Sequence, residues 1–197
     1  MSFALGLTGS IGMGKSTTAK MFADEGCALW DADDAVHRLY SPGGTAVQSI
    51  SEIYPEAVID GSVNRIVLKQ IISKEPSALK VIESIVHPLV SKDRATFRAS
   101  ETADIIVFDI PLLFETGGDA DMDAVACVSI SPEEQKRRVM TRGTMTEAQF
   151  DQIRSKQMPN EEKCRRSDFV IVTDTLDHAR AQVQDIVRQI RVGMRNA

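Results

Sequence analysis

Gly9-Ser10-Ile11-Gly12-Met13-Gly14-Lys15-Ser16 has the spacing G-x-x-x-x-G-K-[ST] of a phosphate-binding loop. The residue types follow from the chemistry of holding a polyanion. Gly9 and Gly14 let the backbone wrap around phosphate oxygens, and Gly12 adds freedom that the pattern does not demand. Backbone N–H groups from Gly12 through Met13, Gly14, Lys15 and Ser16 to Thr17 can then point at one phosphate-sized anion. A helix starting there adds its N-terminal partial positive charge. Lys15 is expected to reach the β- and γ-phosphates of a nucleoside triphosphate, and the Ser16 hydroxyl to ligate Mg2+. The spacing points to a nucleoside triphosphate and leaves the fate of its terminal phosphate open.

Transfer of that phosphate to an alcohol needs a base, or a group that orients the hydroxyl. Asp31 and Asp33 are candidates. On an extended segment they would share a face, one taking the substrate proton and the other serving the magnesium shell. A solvated acidic loop, or an Asp capping the next helix, is the competing reading. Asp109 ends an apolar run, as a Walker-B acid does, and suits the Mg2+ water shell or the acceptor. Arg138 and Arg142 are four apart on one helical face, with Arg154 further on. Their forked guanidiniums match phosphate oxygens, although solvated basic faces are common. His87, before Pro88 in a helical stretch, and Trp30, beside the acidic loop, read as structural on chemistry alone.

These residues need a scaffold. Phe3–Thr8, Cys27–Trp30, Ile105–Asp109, Ala124–Ile130 and Phe169–Val172 are short apolar runs that predict five strands. Helices are expected over Thr17–Asp24, Ala35–Tyr40, Pro132–Thr141 (capped by Ser131, with Pro at its first position) and Thr175–Arg195. Thr45–Ser100 has helical periodicity, broken at Pro55, Asp60-Gly61, Pro76 and Pro88, and no strand-like alternation. Continuous apolar strands alternating with helices predict an α/β fold with a parallel sheet covered on both faces. Ligands bind at the carboxyl ends of such strands, where the glycine loop, Asp31 to Asp33 and Asp109 all fall.

The chain has 197 residues, 43% of them hydrophobic, and a net charge of −5. One core of that size needs no disulfides. Interspersed charges without a basic face argue against a nucleic-acid binder. Cys27, Cys127 and Cys164 are far apart and form no C-x-x-C, so reduced thiols are expected rather than a zinc site. No apolar run is long enough to span a bilayer, and the start lacks signal-peptide features; a cytoplasmic protein is expected.

The sequence resembles the dephospho-CoA kinases, of the P-loop kinase group, from Phe3 to about Ala179. The likeness is carried by Leu7-Thr8-Gly9 through Ser16, Asp31-Ala32-Asp33, Asp60-Gly61 with Asn64-Arg65, and Ile85-Val86-His87-Pro88. Phe108-Asp109-Ile110-Pro111-Leu112-Leu113-Phe114-Glu115 is the strongest signature after the glycine loop. Arg138, Arg142, Arg154 with Gln157, and Lys163 before Ser167-Asp168-Phe169-Val170-Ile171 complete it. The resemblance implies a single P-loop kinase domain with a five-stranded parallel sheet, a helical substrate-binding insertion at about 43–101 and a lid at about 138–166. It implies transfer of the ATP γ-phosphate to the ribose 3′-hydroxyl of dephospho-CoA, with Mg2+ held by Ser16 and Asp31. Asp33 becomes the base, aided by Lys15, Arg138 and Arg142, and Asp33, Arg65, His87, Asp109 and Leu112 face the acceptor. The expected partners are dephospho-CoA and ATP, with no nucleic acid or membrane, and the chain working as a monomer or weak homo-oligomer.

The sequence departs from the family pattern at Ser167, at Gly143-Thr144 and at Val172-Thr173 near the expected adenine site. A shikimate-kinase-like enzyme would also carry paired aspartates after its second strand. The long helical insertion and Asp109-Ile110-Pro111-Leu112-Leu113 do not belong to that pattern. A nucleotide switch needs no base at Asp33, and no N-K-x-D element is present.

Overall fold

Phe3–Thr8 forms the central strand β1, and from Ala4 onward every residue in it is buried. A strand covered on both faces carries apolar residues at consecutive positions rather than alternate ones. The computed structural model describes residues 2–196. β1 is followed by α1 (Lys15–Asp24), and then by β2 (Ala28–Asp31). With β5 (Ile105–Asp109), β6 (Ala124–Ser129) and β7 (Phe169–Val172) these strands make a five-stranded sheet in the order β2-β5-β1-β6-β7. β1 runs parallel to both neighbours, with Leu5 opposite Val107 on β5 and Ala124 on β6. The five expected strands are all present, within a residue at each end.

The chain divides into two compact units, one built on residues up to Trp30 and from Glu101 onward, the other on Asp31–Ser100. In the sheet unit, α1 and the C-terminal helix α9 (Leu176–Asn196) pack against β1, β5 and β6. α9 presents Ala179, Val183, Ile186, Val187 and Ile190 as one buried stripe, the spacing of a helix with a single apolar face. Leu113, Phe114 and Val125 form a second, smaller cluster. Three further helices belong to this unit, α6 (Pro132–Arg142), α7 (Glu147–Lys156) and α8 (Asn160–Arg166). Ser131 accepts a hydrogen bond from the Glu134 N–H, as its position before Pro132 predicts. Thr146 and Gln149 form a reciprocal capping box that starts α7. The T-x-x-Q spacing marks that start.

The second unit has its own core of Leu39, Tyr40, Ile50, Tyr54, Leu68, Ile82 and Val86. Its helices are α2 (Ala32–Tyr40), α3 (Thr45–Ile53), α4 (Arg65–Lys74) and α5 (Ala78–Ser100). Two expectations fail here. A small antiparallel hairpin interrupts the helices, β3 (Val58–Ile59) and β4 (Ser62–Val63). Asp60 and Gly61 link its strands, both at positive φ (50° and 75°), and Asp-Gly is favoured in such a two-residue turn. Pro88 also does not end a helix, because α5 runs through it for 23 residues. The ring costs a backbone donor to the Ser84 carbonyl. Ser84, His87 and Pro88 are all exposed, so water can satisfy that carbonyl, while Ala78, Ile82 and Val86 anchor the helix.

Arg191 ties α9 down at both ends of its guanidinium. Nε and Nη2 reach the Asp104 carboxylate at 2.7 and 3.2 Å, and Nη2 also reaches the Glu25 carbonyl at 3.2 Å. The Arg191 hydrogen bond holds the Asp104 carboxyl below its ordinary range. A depressed folded-state value stabilises the fold above the unfolded pKa, near 3.9, and the gain disappears as pH falls through the folded value. Asp104→Asn should therefore cost ~0.2–1 kcal/mol at neutral pH, the range for an exposed pair. Urea denaturation of both proteins from neutral pH down to ~3 should show the gap closing only in the acid range.

Candidate active site

The chain leaves β1 at Thr8 and turns at once into the glycine loop. At Gly9 an added Cβ would lie 2.3 Å from Val128 Cγ2, so the loop passes too close to β6 for a side chain. Gly12 is required by the backbone even though the motif leaves its position open. Its φ is +79°, a left-handed conformation that side chains resist. α1 then starts at Lys15, with Gly14 as its cap residue and no side chain closing the helix end. Ser16 and Thr17 are exposed there. Open N–H groups at a helix start form an anion site.

The remaining polar groups of the loop are held by side chains distant in sequence. Asn160 Oδ1 accepts the Ser10 N–H at 3.0 Å, and Gln157 Oε1 accepts the Ile11 N–H at 3.3 Å. Gln135 Nε2 donates to the Ile11 carbonyl at 2.7 Å. Thr173 Oγ1 donates to the Met13 carbonyl at 2.7 Å. Met13 thus offers the loop only backbone, because its side chain is buried in the core with Leu7 and Val128. None of these contacts has a local sequence signal. Gln157 stands in the family resemblance without a role, and Gln135 and Asn160 were not singled out.

Lys15 Nζ forms an ion pair with Asp109 Oδ1. Asp109 is the last residue of β5 and is 1% exposed, and Lys15 is nearly as enclosed. The strand-end carboxylate expected from the sequence is in place, set against the loop lysine.

Asp31 and Asp33 do not share an extended face, as the sequence reading had it. Asp31 ends β2 and caps α2, its Oδ1 accepting the N–H groups of Asp33 and Asp34 at 2.7 and 3.0 Å. Helix therefore begins one residue after the strand, and Asp33 is exposed in its first turn. The local preference of Asp for an N-cap wins over continuation of the strand. Arg65, at the start of α4, stacks over the Tyr40 ring at 5.6 Å. Burial pushes the Tyr40 hydroxyl up, and Arg65 opposes it. His87 and Leu112 are exposed.

The arginines divide. Arg138 is engaged by protein groups: Nη2 donates to the Thr173 carbonyl at 2.7 Å, Nη1 to Thr173 Oγ1 at 3.2 Å, and Nε to Glu134 at 2.9 Å. Hydrogen bonds from Arg137 and Arg138 pull the Glu134 carboxyl down to about 2. Arg142 is exposed and has no carboxylate partner among the described residues. Arg154 is exposed too, 3.7 Å from Asp151 and stacked on Phe150. Lys163, within the expected lid, is not a surface cation. It is fully buried, with Nζ 2.7 Å from the Pro111 carbonyl and 3.0 Å from Glu115 Oε1. Thr8 donates to the same Pro111 carbonyl at 3.1 Å, so Lys163 braces the segment after β5 against the end of β1.

A parallel sheet, a glycine loop entering a helix and a lysine held by a strand-end aspartate define the P-loop kinases. A family model described as dephospho-CoA kinase matches residues 3–178. A dephospho-CoA kinase of Ruegeria pomeroyi is 78% identical, over 98% of both chains. One of Jannaschia sp. is 56% identical, over 98% of this chain and all of its own. Among solved structures, a Thermus thermophilus protein superposes with a TM-score of 0.85 at 29% identity, covering 95% of this chain and 97% of its own. Shikimate kinase from Acinetobacter baumannii superposes at 0.53 and 14% identity, over 98% and 95% of the two chains, a likeness of fold alone. The chain belongs to the dephospho-CoA kinase family, and it is a kinase acting on an alcohol acceptor.

Lys163 is buried, whereas Glu115 keeps access to solvent, so removing the lysine should cost less than the ~3–5 kcal/mol of a fully buried pair. Lys163→Met should destabilise the protein by ~1–3 kcal/mol in urea unfolding, chiefly through the Pro111 carbonyl left without its donor. Glu115→Gln added to Lys163→Met should recover part of the loss, since no charge is then left unpartnered.

Proposed function

We propose that this kinase transfers the γ-phosphate of ATP to the 3′-hydroxyl of the ribose of dephospho-CoA, releasing CoA and ADP, with Asp33 as the base. The observation that carries the reading is the Lys15–Asp109 pair beside a helix start with no side-chain cap. From Gly12 to Thr17 the backbone offers N–H groups to the β-phosphate, apart from that of Met13, which donates to the Ser10 carbonyl at 3.2 Å, and Lys15 neutralises charge growing on the transferred group. Arg142 adds a guanidinium not committed to a protein carboxylate. Arg138, which already holds Thr173, orients that end of the site and adds its charge to it.

Asp33 follows β2 by two residues, and its carboxylate is exposed in the first turn of α2. It takes the proton of the acceptor hydroxyl as the oxygen attacks. Asp31 holds Asp33 in place through its backbone N–H and keeps its other oxygen for a cation. Ser16 and Asp31 would hold Mg2+. The donor set fits: both offer hard oxygens, and no cluster of three or more metal-ligating side chains occurs among the described residues. Mg2+ at a nucleotide keeps mostly waters and phosphate oxygens. It would neutralise charge on the β- and γ-phosphate oxygens. Arg65, His87, Asp109 and Leu112 face the acceptor in this reading. We place the enzyme in the cytoplasm, as a monomer or weak homo-oligomer, away from nucleic acid and membranes; no described helix is long and apolar enough to cross a membrane.

Asp33→Asn keeps shape and loses the basic oxygen. Its kcat with dephospho-CoA should fall ~10²–10⁴-fold, with ATP affinity nearly unchanged. Asp31→Asn should instead raise the Mg2+ concentration needed for half-maximal rate. Near-full activity in Asp33→Asn, with a dead Asp31→Asn, reverses the two roles.

We place the lid at about 138–166. Arg142 and Arg154 are among its exposed cations, whereas Lys163 and Asn160 root its far end in the sheet unit. Closure excludes water that competes for the γ-phosphate. Arg142→Ala should lower the transfer rate and the ratio of CoA formed to ADP formed. Hydrogen exchange around residues 142–156 should slow when an ATP analogue binds. An unchanged ratio with unchanged exchange removes the lid.

A further inference from the structure

We infer that Gln157 and Asn160 are positioning residues for the phosphate donor: they fill the Ile11 and Ser10 N–H groups of the glycine loop and thereby set where its anion-binding run begins. The inference rests on the kinase reading above.

The loop from Gly9 to Ser16 has more N–H groups than one phosphate can use. Two of them, on Ser10 and Ile11, already bond to side-chain carbonyl oxygens, Asn160 Oδ1 and Gln157 Oε1. Both acceptors are neutral amides. A carboxylate in either place would satisfy the same donor but would repel a triphosphate at short range. An amide completes the hydrogen bond without that charge.

Asn160 is itself fixed on its other side. Its Nδ2 donates to the Val128 carbonyl and to Ser129 Oγ, both at 3.3 Å. Cys127 and Cys164 flank it, with their sulfurs 3.7 Å apart. The Asn160 oxygen is therefore oriented by the end of β6, and its link transmits the position of that strand to Ser10. Gln157 is the residue that ends α7, three residues before. The Met158 N–H, between them, is held by Glu115 Oε1 at 2.8 Å, and the same carboxylate is paired with buried Lys163. The connection between α7 and α8 is thus pinned on the phosphate loop on one side and on the segment after β5 on the other.

A loop held at the Ser10 and Ile11 N–H groups and at the Ile11 and Met13 carbonyls does not have to be ordered by the nucleotide. Ordering of a loose loop would be charged against ATP affinity. Loss of the two amide contacts should weaken the donor and leave the acceptor alone.

The test uses the full chain with three variants: Gln157→Met, which keeps side-chain length and loses the acceptor, Asn160→Ala, and the pair combined. ATP affinity is read by calorimetry without acceptor, the KM for dephospho-CoA by steady-state kinetics at saturating ATP, and Tm by thermal melts. Each single variant should weaken ATP about tenfold, equivalent to ~1.4 kcal/mol, with the KM for dephospho-CoA within about twofold. The combined variant should lose less than the product of the singles, because both act through one loop. Unchanged ATP affinity in Gln157→Met overturns the inference. So does a loss shared equally by donor and acceptor and tracking the fall in Tm, which is what a purely structural role would give. Should Asn160→Ala not fold, Gln157→Met alone decides. If the parent protein binds ATP but does not phosphorylate dephospho-CoA, the acceptor assignment fails, while the ATP arm still tests the loop.

Discussion

A phosphate-binding loop must keep several backbone N–H groups open to solvent at one helix end while every other polar group around them finds a partner. The rest of the sheet unit is arranged around that demand. Gly9 passes so close to Val128 that no side chain fits, which lets the loop seal against β6. The carbonyls of Ile11 and Met13 are taken by Gln135 and Thr173, and the N–H groups of Ser10 and Ile11 by Asn160 and Gln157. Buried polar groups left unpaired cost ~1–3 kcal/mol each, so these four side chains do as much for the loop's shape as the glycines do. α6 and α8 supply two of them, a third follows β7 directly, and the fourth ends α7. Helices that a fold description would treat as covering layers are, on this view, struts of the anion site.

Charge is balanced in the same place. Lys15 stands at the positive end of α1, where a second positive charge is unfavourable. Asp109 supplies the opposing charge from the end of β5. A bound triphosphate would take over that task, leaving the Lys15 ammonium to face the phosphates as well as the Asp109 carboxylate. The thiols nearby take no part. Burial pushes the Cys127 thiol well up, with Cys164 adding to the effect, and it raises Cys27 to about 11. Both are protonated at neutral pH and behave as small apolar groups.

Chemistry that lies within a few residues was legible in the sequence, and chemistry assembled across the fold was not. The glycine loop, Lys15, Asp109 at the end of its strand and the Ser131 cap all follow from neighbours in the chain. So do the five strands, whose apolar runs are continuous because both sheet faces are covered. Asp31 shows the limit. Its carboxylate could serve as cap or site ligand by sequence, and only the two N–H bonds it accepts assign it to the helix end. Lys163 shows a harder limit, because its partners at Pro111 and Glu115 lie 52 and about 48 residues away. A lysine near arginines reads as surface charge until the contact across the sheet is seen. Thr173, where the family pattern commonly has a different pair of residues, is likewise a joint, bonding Met13 and Arg138 at once.

Two hydrophobic cores in one chain also carry a consequence for how the chemistry is divided. The cluster around Leu39, Ile50, Leu68 and Ile82 belongs wholly to Asp31–Ser100, and the cluster around Leu5, Phe22, Val107 and Val183 wholly to the sheet unit. Substitutions in one core do not open cavities in the other. The glycine loop, Lys15 and Asp109 lie in the sheet unit, as do their struts. Of the residues assigned here to the acceptor, Asp33, Arg65 and His87 lie in the helical unit and Asp109 and Leu112 in the sheet unit. Change in acceptor preference can then accumulate in residues 31–100 while the phosphate machinery keeps its packing. The match to shikimate kinase at 14% identity is a likeness of fold alone, and the residues that would choose an acceptor here are set on that fold from both units.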